Sequence, residues 1–322
     1  MSVMTKNKQA GTGLVAAPQC RNHDTGKDHP ENARRYDAIV SALGRDGLVD
    51  ELVPIDTRPA HDDELLLCHS ATYLETVKDD IEAGAPSLRT GDTVICAESL
   101  HVARHTVGGV LCAVDALMQD EVRNAFCVVR PPGHHSGPDR GMGFCLFNNV
   151  AIAARYVQRT HHLKHVLIAD WDVHHGNGTQ DVFYHDGSVF FYSTHQYPWY
   201  PGTGVRTERG SGSGEGTTLN CPLPSGSGGR EVIGAFERDL MTAADEFRPD
   251  FVLISAGFDS RIGDPLGEFC LEDNDFSRLT EILADIAGRY CGGRLLSVLE
   301  GGYHLHGLAE AARAHVLALT SA

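Results

Sequence analysis

Five short, mainly apolar runs punctuate the chain: Ala125–Val129, His165–Ala169, Val189–Tyr192, Phe251–Ile254 and Leu295–Leu299. Each has the length of a strand, and none alternates with polar residues, which is the pattern of strands covered on both faces. Longer segments compatible with helices separate several of them, at 148–160, 230–247 and 275–290. Two more helices are expected earlier. One is entered from the loop His29-Pro30-Glu31-Asn32-Ala33-Arg34-Arg35 and continues through Ile39, Val40 and Leu43. The other covers Glu98–Met118, where Leu100, Ala103, Val107, Val110, Leu111 and Val114 can share one buried face, although Gly108-Gly109 weakens it. The alternation predicts an α/β fold with a largely parallel, doubly covered sheet.

Residues 1–12 read as a frayed tail and 13–322 as a single domain. The longest irregular region is 194–229, rich in Gly and Ser. It reads as a functional loop rather than a linker, because no independent core follows it. Internal repeats are absent from the sequence.

The polar residues fall in a repeating place. The first run is followed by Arg130-Pro131-Pro132-Gly133-His134-His135, and the second by Asp170-Trp171-Asp172-Val173-His174-His175. Ser193-Thr194-His195 follows the third, Ser255-Ala256-Gly257-Phe258-Asp259 the fourth, and Glu300-Gly301-Gly302-Tyr303 the fifth. In open parallel sheets the ligand crevice lies beyond the carboxyl ends of the strands, so one rim would gather these groups. If 170–174 continues extended, Asp170, Asp172 and His174 share one side and Trp171 and Val173 the other. Asp172 and His174, completed by Asp259, form a set of one imidazole and two carboxylates. That set suits Zn²⁺ or Fe²⁺ and leaves a position open for water and substrate. The competing account is a buried hydrogen-bond cluster that caps the strands without metal. His134 and His135 titrate near neutrality and could serve as a general base, or could be ordinary loop histidines. Tyr303, after two glycines, could donate to a developing oxyanion or simply pack at a strand end.

Composition narrows the classes. The chain has 322 residues, 42% hydrophobic and 22% charged, within reach of one large α/β domain. A formal net charge of −16 argues against affinity for nucleic acid or anionic membrane and favours cationic ligands. Nine cysteines without a C-x-x-C pair suggest reduced thiols in a cytosolic protein. MSVMTKNKQAGTG lacks an apolar h-region, and no apolar run approaches the roughly 18 residues of a membrane span. A soluble cytoplasmic protein is expected, with room for a homo-oligomer.

The motifs RPPGHHSGPDRGMGFCLFNNVAIAARY (130–156), DWDVHHGNGTQDVFY (170–184), STHQYPWYPGTG (193–204), SAGFDSRIGDPLG (255–267) and LEGGY (299–303) resemble the histone deacetylase superfamily, in its class II-like and bacterial flavour. The resemblance runs in order from about residue 22 to the C-terminus. It implies the three-layer arginase–deacetylase fold, with a mainly parallel sheet of about eight strands flanked by helices. It further implies that Asp172, His174 and Asp259 bind zinc and that His134 and His135 are the tandem catalytic histidines. Tyr303 would polarise the acetyl carbonyl. Gly143, Phe144 and Tyr200 would line the acyl-lysine tunnel, and Asp170 would hydrogen-bond His134. Asp170, Asp172, His174, Ser193 and Thr194 would surround a structural K⁺. Where some family members carry an aspartate this chain has Asn177, which can orient His135 but favours a less basic ring.

The chemistry so implied is zinc-assisted hydrolysis of an amide to acetate and a free amine. Polyamine-selective relatives place a glutamate after Gly-Asp-Pro; Leu266 stands there and favours acyl-lysine, with acetylpolyamine or another small N-acyl amide as the alternative. A binuclear amidinohydrolase of the same fold would need more metal ligands. A non-catalytic binding protein would bind metal without turnover.

Overall fold

The computed structural model describes residues 11–322. Residues 1–10 of the expected tail lie outside the described residues, and Thr12, placed in that tail, already belongs to a strand. The strands are β1 (Thr12–Ala16), β2 (Val53–Pro54), β3 (Asn124–Val128), β4 (Val166–Asp170), β5 (Val189–Gln196), β6 (Thr218–Leu223), β7 (Phe251–Ala256) and β8 (Leu295–Leu299). They form one sheet in the order β2-β1-β3-β8-β7-β4-β5-β6, with every pairing parallel. The helices are α1 (Arg34–Leu43), α2 (Asp62–Leu65), α3 (Ala71–Glu82), α4 (Ser99–Met118) and α5 (Asn149–His161), then α6 (Asn177–Phe183) and α7 (Gly229–Ala235). A π turn at Phe236–Leu240 joins α7 to α8 (Met241–Phe247), and α9 (Asp273–Tyr290) and α10 (Leu305–Ser321) complete the set.

The continuous apolar runs have a direct cause. Leu167 and Ala169 of β4, with Val252 and Ile254 of β7, pack with Ile39, Leu279 and Val316 of α1, α9 and α10. Val166, Ile168, Phe251 and Leu253, the alternate positions, pack with Tyr73, Val107 and Val150 of α3, α4 and α5. A sheet buried on both faces cannot afford polar alternation. Side-chain caps start the helices that cover it: Ser70 accepts from Tyr73 N and Asn148 from Ala151 N.

The five runs correspond to β3, β4, β5, β7 and β8. Three strands lack such a run. β2 is two exposed residues ending in a proline. β1 and β6 are interrupted by Gly13 and by Asn220 and Pro222, and β6 lies inside the region expected to be irregular. All nine cysteines are free. No helix among the described residues is long and apolar enough to cross a membrane.

Candidate active site

β3, β8, β7 and β4 are neighbours at the centre of the sheet, so the segments that leave their carboxyl ends meet. β4 keeps strand geometry through Asp170 and then turns, so extended alternation is not what groups its polar side chains. Each acid instead folds the chain onto itself. Asp170 Oδ1 accepts from Asp172 N at 3.0 Å, and Asp172 Oδ1 accepts from His174 N at 2.9 Å. Trp171 and Val173 go into the core.

Asp259 arrives from β7 and accepts from Val173 N through Oδ1 at 2.9 Å. Its Oδ2 lies 3.2 Å from His174 Nδ1, which is also 3.0 Å from Asp172 Oδ1. One ligand atom from each of Asp172, His174 and Asp259 lies within 4.8 Å of the others, and all three residues are buried. Asp259 Oδ2 is buried with no well-formed hydrogen bond. Bare backbone walls this cluster: a Cβ on Gly301 would sit 2.0 Å from Asp259 Oδ2, and one on Gly257 2.0 Å from Asp172 Oδ2. Two buried carboxylates facing one imidazole, with an oxygen left over, fit a divalent cation. Among the described residues this is the one such group of three.

The tandem histidines stand beside this cluster with rings 4.0 Å apart. His134 Nδ1 pairs with Asp170 Oδ2 at 2.9 Å, and His135 Nδ1 with Asn177 Oδ1 at 2.8 Å. Their environments drive them apart. Burial pushes His134 down, but the carboxylates of Asp172 and Asp170 outweigh it and raise it to about 10. Burial, then the neighbouring His134 and His174, holds His135 well below the ordinary histidine range. With its Nδ1–H donated to Asn177, His135 keeps the lone pair on Nε2. Burial raises Glu300 to about 7, while its Oε2 accepts from Gly133 N at 2.6 Å and His134 N at 3.1 Å, fixing the histidine turn.

A cavity of about 270 Å³ opens above the cluster, with His135, His174 and Tyr303 at its base and Gly143, Phe144, Tyr200 and Leu266 along its walls. Gly143 has φ +56° and its missing Cβ would lie 2.2 Å from His135 Cδ2, so only glycine lets this wall approach the ring. Phe144 follows at φ +67° and meets Tyr303 edge-on at 5.8 Å. Tyr200 meets His135 edge-on at 5.2 Å. Burial, then the Asp259 carboxylate, lifts the Tyr303 phenol well above its usual range, keeping it a donor. Ser193 stands opposite Asp170 in the β4–β5 ladder, followed by the buried Thr194, and Ser193 Oγ contacts His195 Nδ1 at 2.9 Å.

Several residues of the site escaped sequence reasoning. Asp92 lines the mouth, accepts from Gly143 N at 2.7 Å and takes the Tyr200 hydroxyl at 3.4 Å. Asp264 accepts from Leu266 N, Tyr303 N and His304 N. Arg35 donates to Gly302 O at 2.6 Å and Glu300 O at 2.5 Å, with its guanidinium 5.0 Å from the Tyr303 ring centre. Each makes at least one of these bonds to a backbone group. The only signal was position: Asp264 sits inside the GDPLG motif and Arg35 at the start of α1.

The Histone deacetylase domain family matches residues 29–319. Histone deacetylase 10, chloroplastic, of Oryza sativa subsp. japonica is 40% identical over 298 residues, covering 88% of this chain and 67% of that one. The Polyamine deacetylase HDAC10 of Danio rerio is 40% identical over 291 residues, covering 87% of this chain but 42% of its own length. The crystal structure of the HDA15 HD domain superimposes with a TM-score of 0.92 at 37% identity, covering 97% of this chain and 89% of that one.

Proposed function

Since the chain belongs to the histone deacetylase family of amide hydrolases, we propose that it is a zinc-dependent deacetylase acting on acetylated lysine side chains, with one catalytic domain over 13–322. The observation that carries this is the histidine pair: two adjacent imidazoles, one held by the Asp170 carboxylate and the other by the Asn177 amide, beside a buried Asp-His-Asp cluster and under an aromatic cavity.

Asp172, His174 and Asp259 would hold the zinc ion, which when bound supplies a Lewis acid that acidifies water and polarises an acyl oxygen. His135 Nε2, neutral and oriented by Asn177, accepts the proton that the attacking water loses and returns one to the leaving amine nitrogen. His134, paired through Nδ1 with Asp170, stands beside His135 and the reacting atoms. The Tyr303 hydroxyl donates to the developing oxyanion. Phe144 and Tyr200 flank the aliphatic stem, with Gly143 completing the wall. Asp170, Asp172, His174, Ser193 and Thr194 would hold K⁺ as a structural ion, a role supported by the Asp170–Ser193 register at a buried strand end. Free thiols throughout support a reducing compartment, the cytoplasm.

Leu266 at the mouth offers no charge to a second amine and supports acetyl-lysine. A second reading, acetylpolyamine, is favoured by the exposed Asp92 carboxylate at the same mouth and by the net charge of −16. The test is acetate release from a panel of acetyl-lysine peptides and acetylpolyamines, by zinc-loaded protein and by its Tyr303→Phe variant. Release from the peptides should fall about a hundredfold or more in the variant. Release from polyamines alone would overturn the lysine assignment.

A further inference from the structure

The mouth of the cavity is apolar where solvent reaches it. Trp199 is 37% exposed and Tyr200 39%, and Pro265 and Leu266 continue the rim. A contiguous exposed apolar rim marks a place that a ligand covers. These side chains are also fastened in position. Trp199 Nε1 donates to Leu266 O at 2.9 Å. Gln196 Nε2 donates to Glu268 Oε2, and Glu268 N to Gln196 Oε1, each at 2.9 Å. Asp264 secures the far side, accepting from Leu266 N at 3.0 Å with one oxygen and from Tyr303 N at 2.7 Å with the other. The segment after β5 and the segment after β7 therefore form one preorganised ledge, joined through a carboxylate to the tyrosine at the base of the cavity.

A ledge already in place can hold an apolar group without first paying to order itself. On the deacetylase reading above, we infer that Trp199 and Leu266 are specificity-determining residues that select acetyl-lysine sites flanked by apolar or aromatic side chains. An acetylpolyamine has no such side chain to lay on the ledge. An acidic neighbour would bring its carboxylate toward Asp92 across the same mouth.

Three acetyl-lysine peptides that differ only in the flanking residues, Phe, Gly or Glu on both sides, test this with zinc-loaded protein. The Phe-flanked peptide should show kcat/KM about tenfold above the Gly-flanked one, the size expected for half-burying a large apolar side chain. The ratio should drop to about twofold or less in Trp199→Ala. It should be intermediate in Trp199→Phe, which keeps an aromatic face but loses the bond to Leu266 O. Equal kcat/KM across the peptides, or a preference that survives Trp199→Ala, overturns the inference.

A second measurement does not need turnover. The chain has two tryptophans, and Trp171 is fully buried in the core, so an emission change on ligand addition reports Trp199. Titrating zinc-loaded Tyr303→Phe protein with the Phe-flanked acetyl-lysine peptide should shift emission to the blue, and at lower concentration than the Gly-flanked peptide. No shift with either overturns the inference. Preferential binding without acetate release by the unaltered protein would sink the activity assignment and leave the ledge standing; acetate release without preference would do the reverse.

Discussion

His135 and Asn177 show what one atom decides. An amide oxygen accepts the Nδ1 hydrogen and orients the ring but adds no negative charge, so burial leaves His135 neutral. A carboxylate there would favour the imidazolium and raise the pKa. A base must be unprotonated to act, so in Asn177→Asp the acid limb of kcat/KM against pH should move to higher pH by about one unit or more. A profile that stays in place would remove His135 from the role of base. The residues that carry chemistry were legible because imidazoles and carboxylates recur after each apolar run. Asp92, Asp264 and Arg35 were not, because each is aimed at backbone amides or carbonyls 30 or more positions away, and nothing in a sequence says where those groups will stand.

Strands covered on both faces announce themselves, and so β3, β4, β5, β7 and β8 could be read from their composition. β6 could not: Asn220 faces a polar network, donating to Gln180 Oε1 at 2.7 Å, and Pro222 breaks the apolar run. The turn after β4 was also illegible in detail. Extended alternation would group Asp170, Asp172 and His174, but the chain groups them by side-chain-to-backbone bonds, which hold the carboxylates more firmly. That packing needs bare backbone at the end of β8. Gly301→Ala would push a methyl group to 2.0 Å from Asp259 Oδ2, and should cut bound zinc at a fixed free-metal concentration at least tenfold, with loss of stability of about 1–3 kcal/mol. Metal content and thermal unfolding check both parts. Unchanged zinc would show that the carboxylates have room the structure denies them.

Three loops that furnish the site are joined by a buried ion cluster. Arg130, before the histidines, grips Glu31 with two nitrogens at 2.5 and 2.8 Å. Glu31 also pairs with Arg35 at 3.2 Å, and Arg35 binds the carbonyls flanking Gly301. Burial raises the Glu31 carboxyl, yet Arg130 outweighs it and brings it down to about 2. Glu31→Gln strands two cations in the interior and should cost about 3–5 kcal/mol by urea unfolding. The same balance sets the response to acid. A depressed carboxylate contributes stability above its unfolded value near 4.5, lost as pH falls through about 2. Burial also holds His23, His69 and His195 at about 4 and His315 at about 3. The unfolded chain binds protons there first, so stability falls as pH drops from about 6.5 toward 4. His134, raised to about 10, and Glu300, raised to about 7, slope the other way, so the buried histidines are tested one at a time. On going from pH 7.5 to pH 5 the urea midpoint of His315→Gln should rise relative to that of the unaltered protein, and an unchanged difference would contradict the burial of a neutral His315.

The most direct trial of the zinc-hydrolase assignment is acetate release from an acetyl-lysine peptide while metal-free protein is titrated with zinc. Activity should climb from none to a plateau at one equivalent per chain, and Asp259→Asn should abolish the rise at the same zinc concentrations. Acetate release indifferent to metal, or a plateau that needs two equivalents, would contradict a single zinc held by Asp172, His174 and Asp259.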